Sequence, residues 1–299
     1  MPHQSKIVIF CGKGGVGKTT LSLSLALRAA ESGKKVVVIS SHPLPELAVG
    51  VSLEGVSQKF PTAARNLFVI HIDPKELLAD LVRKNFPSQW MADAVLKSHI
   101  YRNLIEVAPG LKEFQILARL QQLAERTAAG APNYDLLLWD APASGHFLST
   151  LHAAHNFETF LSGPLATAGA ELARFFSNTE NITLLPVTTL EEMAIDETIE
   201  MCGKLQSEYA LKADAVLMNL VSPLASASGA DLTSLEGASD PALRFAVERG
   251  LLERERAESL GRRIPAPQVA VERQRHSPSD LELLERIGRS LDKIVAITQ

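Results

Sequence analysis

The sequence predicts an α/β fold: a doubly wound, mostly parallel sheet with helices on both faces and a helical insertion. Three observations carry that expectation. Short β-branched runs alternate with longer helical patterns along the 299 residues. Those runs are nearly all apolar rather than alternating, as strands covered on both faces must be. The first run also passes through a glycine-rich loop straight into a helix.

Taken in order, the expected strands are KIVIF (6–10), KVVVIS (35–40), LFVIHI (67–72), YDLLLWD (134–140), ITLLPV (182–187) and DAVLMNL (214–220). The helix opened by the first loop, TTLSLSLALRAAES, should end near Gly33. Residues 73 to about 130 exceed a simple crossover and read as the helical insertion within one domain spanning 1–299. LPVTTLEEMAIDET (185–198) reads as a strand followed by a helix start, with Thr189 and Glu192 near the cap. SPLASASGADLTSLEGASDP (222–241) has the composition of a mobile loop. The charge-dense 243–263 reads as a solvated helix face. The closing stripe at 281, 284, 287, 291 and 294 reads as a helix packed on the sheet.

Composition narrows the class of function. The net charge is −4 with 46% hydrophobic residues, so overall charge gives no reason to expect a nucleic-acid partner. Two cysteines, Cys11 and Cys202, lie far apart in sequence. They suit a reducing cytoplasm and form neither a disulfide framework nor a CxxC metal site. The first strand begins too early to leave room for a signal peptide, and no run approaches eighteen apolar residues, so no stable membrane insertion is expected.

Gly12 to Thr19 satisfies G-x-x-x-x-G-K-[ST]. Such a loop turns its backbone N–H groups onto phosphate oxygens, so side chains must be absent where the backbone comes close. Gly14, Gly15 and Gly17 meet that demand, with Gly12, Val16 and Thr20 completing the loop and its helix start. Lys18 can reach the β- and γ-phosphates, and the Thr19 hydroxyl can ligate Mg²⁺. Asp140 ends an apolar strand, where a carboxylate can hold the same ion. Gly145 follows in a segment that can offer its N–H to a γ-phosphate, the behaviour of a nucleotide switch. HAAH (152–155) sets two imidazoles on one helix face with no third ligand apparent nearby. These features together predict a P-loop NTPase.

GKGGVGKTT, with Lys13 just after the first glycine, resembles the deviant Walker loop of the MinD, ParA, nitrogenase iron protein and ArsA-type ATPases. The resemblance implies an ATP-sandwiched dimer in which Lys13 reaches the partner's nucleotide. DAPASGH (140–146) is similar to the DTAPTGH switch of ArsA-type arsenite-pump ATPases and of the related factors that target tail-anchored proteins. APGLKE (108–113) resembles their PGxDE element, with Lys112 where an acid is usual. Asn219, ending AVLMN, falls where that family reads adenine, and RRIPAPQVAVE (262–272), with Pro265, resembles the strand that closes over the base. The resemblance therefore implies ATP/ADP and Mg²⁺ as cofactors, a homodimer or a heterodimer with a related subunit, and a protein client.

Three departures bear on function. Where the family's first switch reads roughly STDPAHNL, this chain reads SSHPLPEL (40–47), so His42 replaces the acid thought to position the attacking water. Slow or partner-dependent hydrolysis, turnover through another group such as Glu46, and binding without hydrolysis all remain open. The CxxC pair that holds zinc at the dimer seam of tail-anchored targeting factors is missing. Neither a methionine-rich groove for transmembrane helices nor a cysteine cluster for arsenite is present. A MinD- or ParA-like positioning ATPase and a non-hydrolysing ATP-binding scaffold are the alternative readings.

Overall fold

The computed structural model describes residues 7–40, 57–59, 66–72, 83, 88–98, 110–125, 134–160, 164–226, 240–274 and 279–297. Eight strands form one sheet in the order β3-β4-β2-β5-β1-β6-β7-β8. They are β1 (Ile7–Cys11), β2 (Val36–Ser40), β3 (Ser57–Lys59), β4 (Leu67–His71), β5 (Leu136–Asp140), β6 (Ile182–Thr189), β7 (Val216–Val221) and β8 (Gln268–Glu272). All neighbours pair in parallel except β3, which runs antiparallel to β4 at one edge. The sheet is doubly wound and mostly parallel, as its sequence predicts. Apolar runs miss two strands: β3, whose Ser-Gln-Lys carry no hydrophobic signal, and β8, which enters the sequence reading only through the family resemblance.

The helices are α1 (Lys18–Glu31), α2 (Gln89–Lys97), α3 (Leu111–Ala124), α4 (Ser144–Phe160), α5 (Pro164–Ser177), α6 (Glu192–Tyr209), α7 (Pro241–Arg263), α8 (Asp280–Ser290) and α9 (Asp292–Ile297), with a 3₁₀ turn at Pro223–Ser226. On one face α1, α8 and α9 cover Val8, Phe10, Val38, Leu138 and Leu217. On the other, α3 to α6 cover Ile9, Ile39, Leu137 and Trp139, and α7 covers Val216 and Met218. β1, β2 and β5 are buried along their whole length. Each such Val, Leu or Ile contributes about 1.5–3 kcal/mol on burial, which is why these segments must be apolar on both faces. Trp139 is fully buried and meets Phe147 edge to face at 5.5 Å between centroids.

Two local expectations change. The closing helix breaks at Leu291 into α8 and α9; its buried stripe of Leu284, Ile287, Leu291 and Ile294 packs over the sheet, as expected, and also against α1. Gly288 allows that approach, since a Cβ there would stand 3.0 Å from the Ser24 carbonyl oxygen. α6 is entered through Glu191 with no side-chain cap, so neither Thr189 nor Glu192 caps it. α2 and α3 lie in the stretch read as an insertion; of the loop at 222–241, only 222–226 and 240–241 fall within the described residues.

Candidate functional site

β1 lies between β5 and β6, where the chain's windings part to either side, and the loop after it leaves the carboxyl edge of the sheet. That crevice is where open α/β sheets take their ligands. The loop runs tight against its neighbours. A Cβ on Gly12, at φ 144°, would stand 2.1 Å from the Val187 carbonyl oxygen on β6. A Cβ on Gly17, at φ 94°, would stand 2.2 Å from the Asn219 amide nitrogen on β7. No side chain fits either place.

Gly17 is also the N-cap of α1, with no side-chain cap and no acidic residue in the first turn. Its helix start therefore leaves N–H groups for an anion. Val16 is buried and Thr20 half-buried at this start, while Gly14 and Gly15 are exposed on the loop. Lys18 curls back over the loop: Nζ donates to the Gly12 and Lys13 carbonyls, each at 3.0 Å. Burial lowers its pKa, opposed by the nearby Asp140, Cys11 and Glu197. The next residue, Thr19, donates its hydroxyl to Asp140 Oδ2 at 2.7 Å. Two hard oxygen donors thus meet beside the loop, a donor set that fits Mg²⁺ completed by water and phosphate oxygens.

The segment after β5 is stitched to the loop. Ala141 N–H donates to the Phe10 carbonyl and Ser144 N–H to the Gly12 carbonyl, both at 3.1 Å. Gly145 sits exposed in the first turn of α4. It opens a groove of about 540 Å³ that also touches Gly110, His152, Lys204 and Glu208. Lys13 stands 3.9 Å from Glu197 on α6, which sequence reasoning missed. Helical spacing carries no sign of that contact; only the pairing of β6 with β1 brings α6 to the loop.

On the other side of the loop, Asn219 is buried and its Nδ2 donates to the Val16 carbonyl at 2.8 Å. β7 bulges between Met218 and Val221, with Leu220 left-handed at φ 60°. The bulge turns the buried Asn219 inward and leaves Leu220 exposed. Pro265 is not brought here. It precedes β8, and β8 runs parallel to β7, so Pro265 lies at the opposite, amino edge of the sheet. The residue beside the carboxyl end of β7 is instead Arg273, whose N–H donates to the Val221 carbonyl at 2.9 Å.

His42, with Glu46 and the rest of its loop, lies outside the described residues. His152 and His155 are exposed, the first bonded to the Tyr209 hydroxyl at 3.0 Å and the second 3.7 Å from Glu158. Among the described residues no three His, Cys, Asp or Glu side chains gather to hold a metal. Burial pushes Cys11 well up and Cys202 to about 12, the behaviour of apolar filler rather than reactive thiols. No described helix is long and apolar enough to cross a membrane.

The family model described as Anion-transporting ATPase matches residues 5–169, more than half of the chain. The chain belongs to the ArsA-type anion-transporting ATPase family. Its relatives include a putative arsenical pump-driving ATPase 2 of Aquifex aeolicus, 30% identical over 52% of each chain. An ATPase get3 of Schizosaccharomyces japonicus is 29% identical over 57% of this chain and 49% of its own. A putative arsenical pump-driving ATPase of Prosthecochloris vibrioformis is 27% identical over 72% of this chain and 60% of its own. The chain spans about half the length of the first of these relatives. The ArsA-type family match takes in the loop, Asp140 and Gly145; Glu197 and Asn219 lie beyond it.

Proposed function

We propose that this chain is an ATP hydrolase that works as a dimeric, magnesium-dependent switch in the cytoplasm, its ATP/ADP state setting the surface offered to a protein client. The observation that carries the reading is the Thr19 hydroxyl held on the Asp140 carboxylate at 2.7 Å, beside a loop over which Lys18 is folded, in a member of an ATPase family. The loop amides from Gly12 to Thr20 cradle the phosphates and Lys18 neutralises them. Thr19 and Asp140 hold the Mg²⁺, which when bound supplies a hard cation shared with the phosphate oxygens. Gly145 offers its N–H to the γ-phosphate, so the first turn of α4 follows the nucleotide. Asn219 spends one amide hydrogen on Val16 and accepts the adenine amine at its oxygen. Lys13 acts across the dimer. With His42 in the acid's place, hydrolysis is slow or depends on a partner, either a second copy or a related subunit that supplies the acid.

Single-turnover hydrolysis of ATP by wild type, Lys18→Ala and His42→Asp tests this. The expected order is wild type slightly above Lys18→Ala, with His42→Asp faster than wild type by roughly a hundredfold, the low end for a positioned base. Silence in all three makes the chain a nucleotide-binding scaffold. A wild type as fast as His42→Asp removes the weakened-hydrolysis part alone.

A further inference from the structure

Glu197 carries both of its carboxylate oxygens to the site. Oε2 stands 3.9 Å from Lys13 Nζ, and Oε1 accepts a hydrogen bond from the Ser144 hydroxyl. Ser144 is itself buried, and its backbone N–H is held by Gly12, the residue before Lys13. One carboxylate on α6 therefore fixes the lysine of the loop and the first residue of the switch helix. The next residue, Thr198, is fully buried on the side of α6 that faces the core, so Glu197 projects from a packed helix. The Ser144 bond holds the Glu197 carboxylate in place when Lys13 moves outward.

We infer that Glu197 is a positioning residue that holds Lys13 in its own chain and competes with nucleotide phosphate for it, while its second oxygen ties that competition to Ser144. The inference rests on the nucleotide reading above. Both side chains are about one-third exposed, at 31% and 37%. A pair so open to water is weak, whereas a phosphate offers Lys13 more charge and several acceptor oxygens. The ion pair is therefore strong enough to place the lysine and weak enough to yield to phosphate. Release of Lys13 leaves the Ser144 bond as the remaining duty of Glu197, so the loop and the switch helix feel the same event.

The test is a titration of the full chain with a fluorescent ATP analogue and its ADP counterpart, in the presence of Mg²⁺. Wild type, Glu197→Gln, Lys13→Ala and the double variant are compared, with Lys18→Ala as the non-binding control. Glu197→Gln keeps an acceptor for Ser144 and removes the charge that attracts Lys13. It is expected to bind the ATP analogue about two- to fivefold more tightly than wild type, the range of an exposed ion pair. The gain should be smaller for ADP, should shrink as salt is raised, and should vanish in the Lys13→Ala background. A purely structural Glu197 would not give that pattern. Unchanged affinity in Glu197→Gln, or an equal change with and without Lys13, overturns the inference while the nucleotide reading stands. Wild type binding no better than Lys18→Ala overturns both.

Discussion

Two helix starts in this molecule solve the same problem in opposite ways. α8 begins at Ser279, whose hydroxyl accepts from the Glu282 N–H at 3.2 Å, and it carries Asp280 and Glu282 in its first turn. Its unpaired N–H groups and its positive end are both answered from within the chain. α1 begins at a left-handed glycine with no side-chain cap and no acid in the first turn. The two helices pack against each other, so the difference is not one of neighbourhood. A helix start built for stability consumes its polar groups, and one built for a ligand withholds them. The same contrast runs through the loop: the Gly12 and Lys13 carbonyls are taken by Lys18, while no side chain caps the α1 start.

Substitutions can break or sharpen this contrast. The largest effect is expected for Lys18→Ala placed in the His42→Asp chain, which should lower single-turnover hydrolysis roughly a hundredfold, back to the background. Its melting temperature should stay level or rise, because the lysine removed is one that burial already disfavours. Next, Gly12→Ala drives a methyl into the Val187 carbonyl and should cost about 2–3 kcal/mol of unfolding free energy, read by urea titration. That would damage fold and site together, since Gly12 also bonds Lys18 and Ser144. The smallest is Ser279→Ala, expected to cost about 1 kcal/mol of stability and to leave nucleotide affinity as it is. If Ser279→Ala changed affinity as much as stability, the two helix starts would not be separate in purpose.

What could be read from the sequence follows from where a signal is local. β1, β2 and β5 are legible because burial on both faces admits only apolar residues, and Gly12 to Thr19 because the spacing is fixed by one short turn. Asp140 is legible as the polar residue that ends such a run. β3 is not, being short, polar and at an edge. Glu197 is one acid among several in α6, and only the tertiary path of β6 singles it out. Pro265 misleads because it is placed by the resemblance of 262–272 to a strand closing over the base, and a resemblance of a whole stretch does not say at which edge of the sheet one of its residues lies. The break at Leu291 leaves the apolar stripe unchanged, so periodicity runs through it.

The packing of α8 and α9 on α1 also imposes an order in time. Arg28 on α1 reaches Asp292, 264 positions further along the chain, at 2.7 Å. During synthesis at about 5–20 residues per second, that leaves the outer face of α1 uncovered for on the order of tens of seconds. Ile287, Leu291 and Ile294 reach the helix whose first turn opens the phosphate loop only after that delay. Contacts so distant in sequence slow folding, because the intervening chain must be ordered before they form. The nascent chain thus carries an apolar helix in need of shelter, and its nucleotide loop gains the support of α8 and α9 only as they emerge from the ribosome.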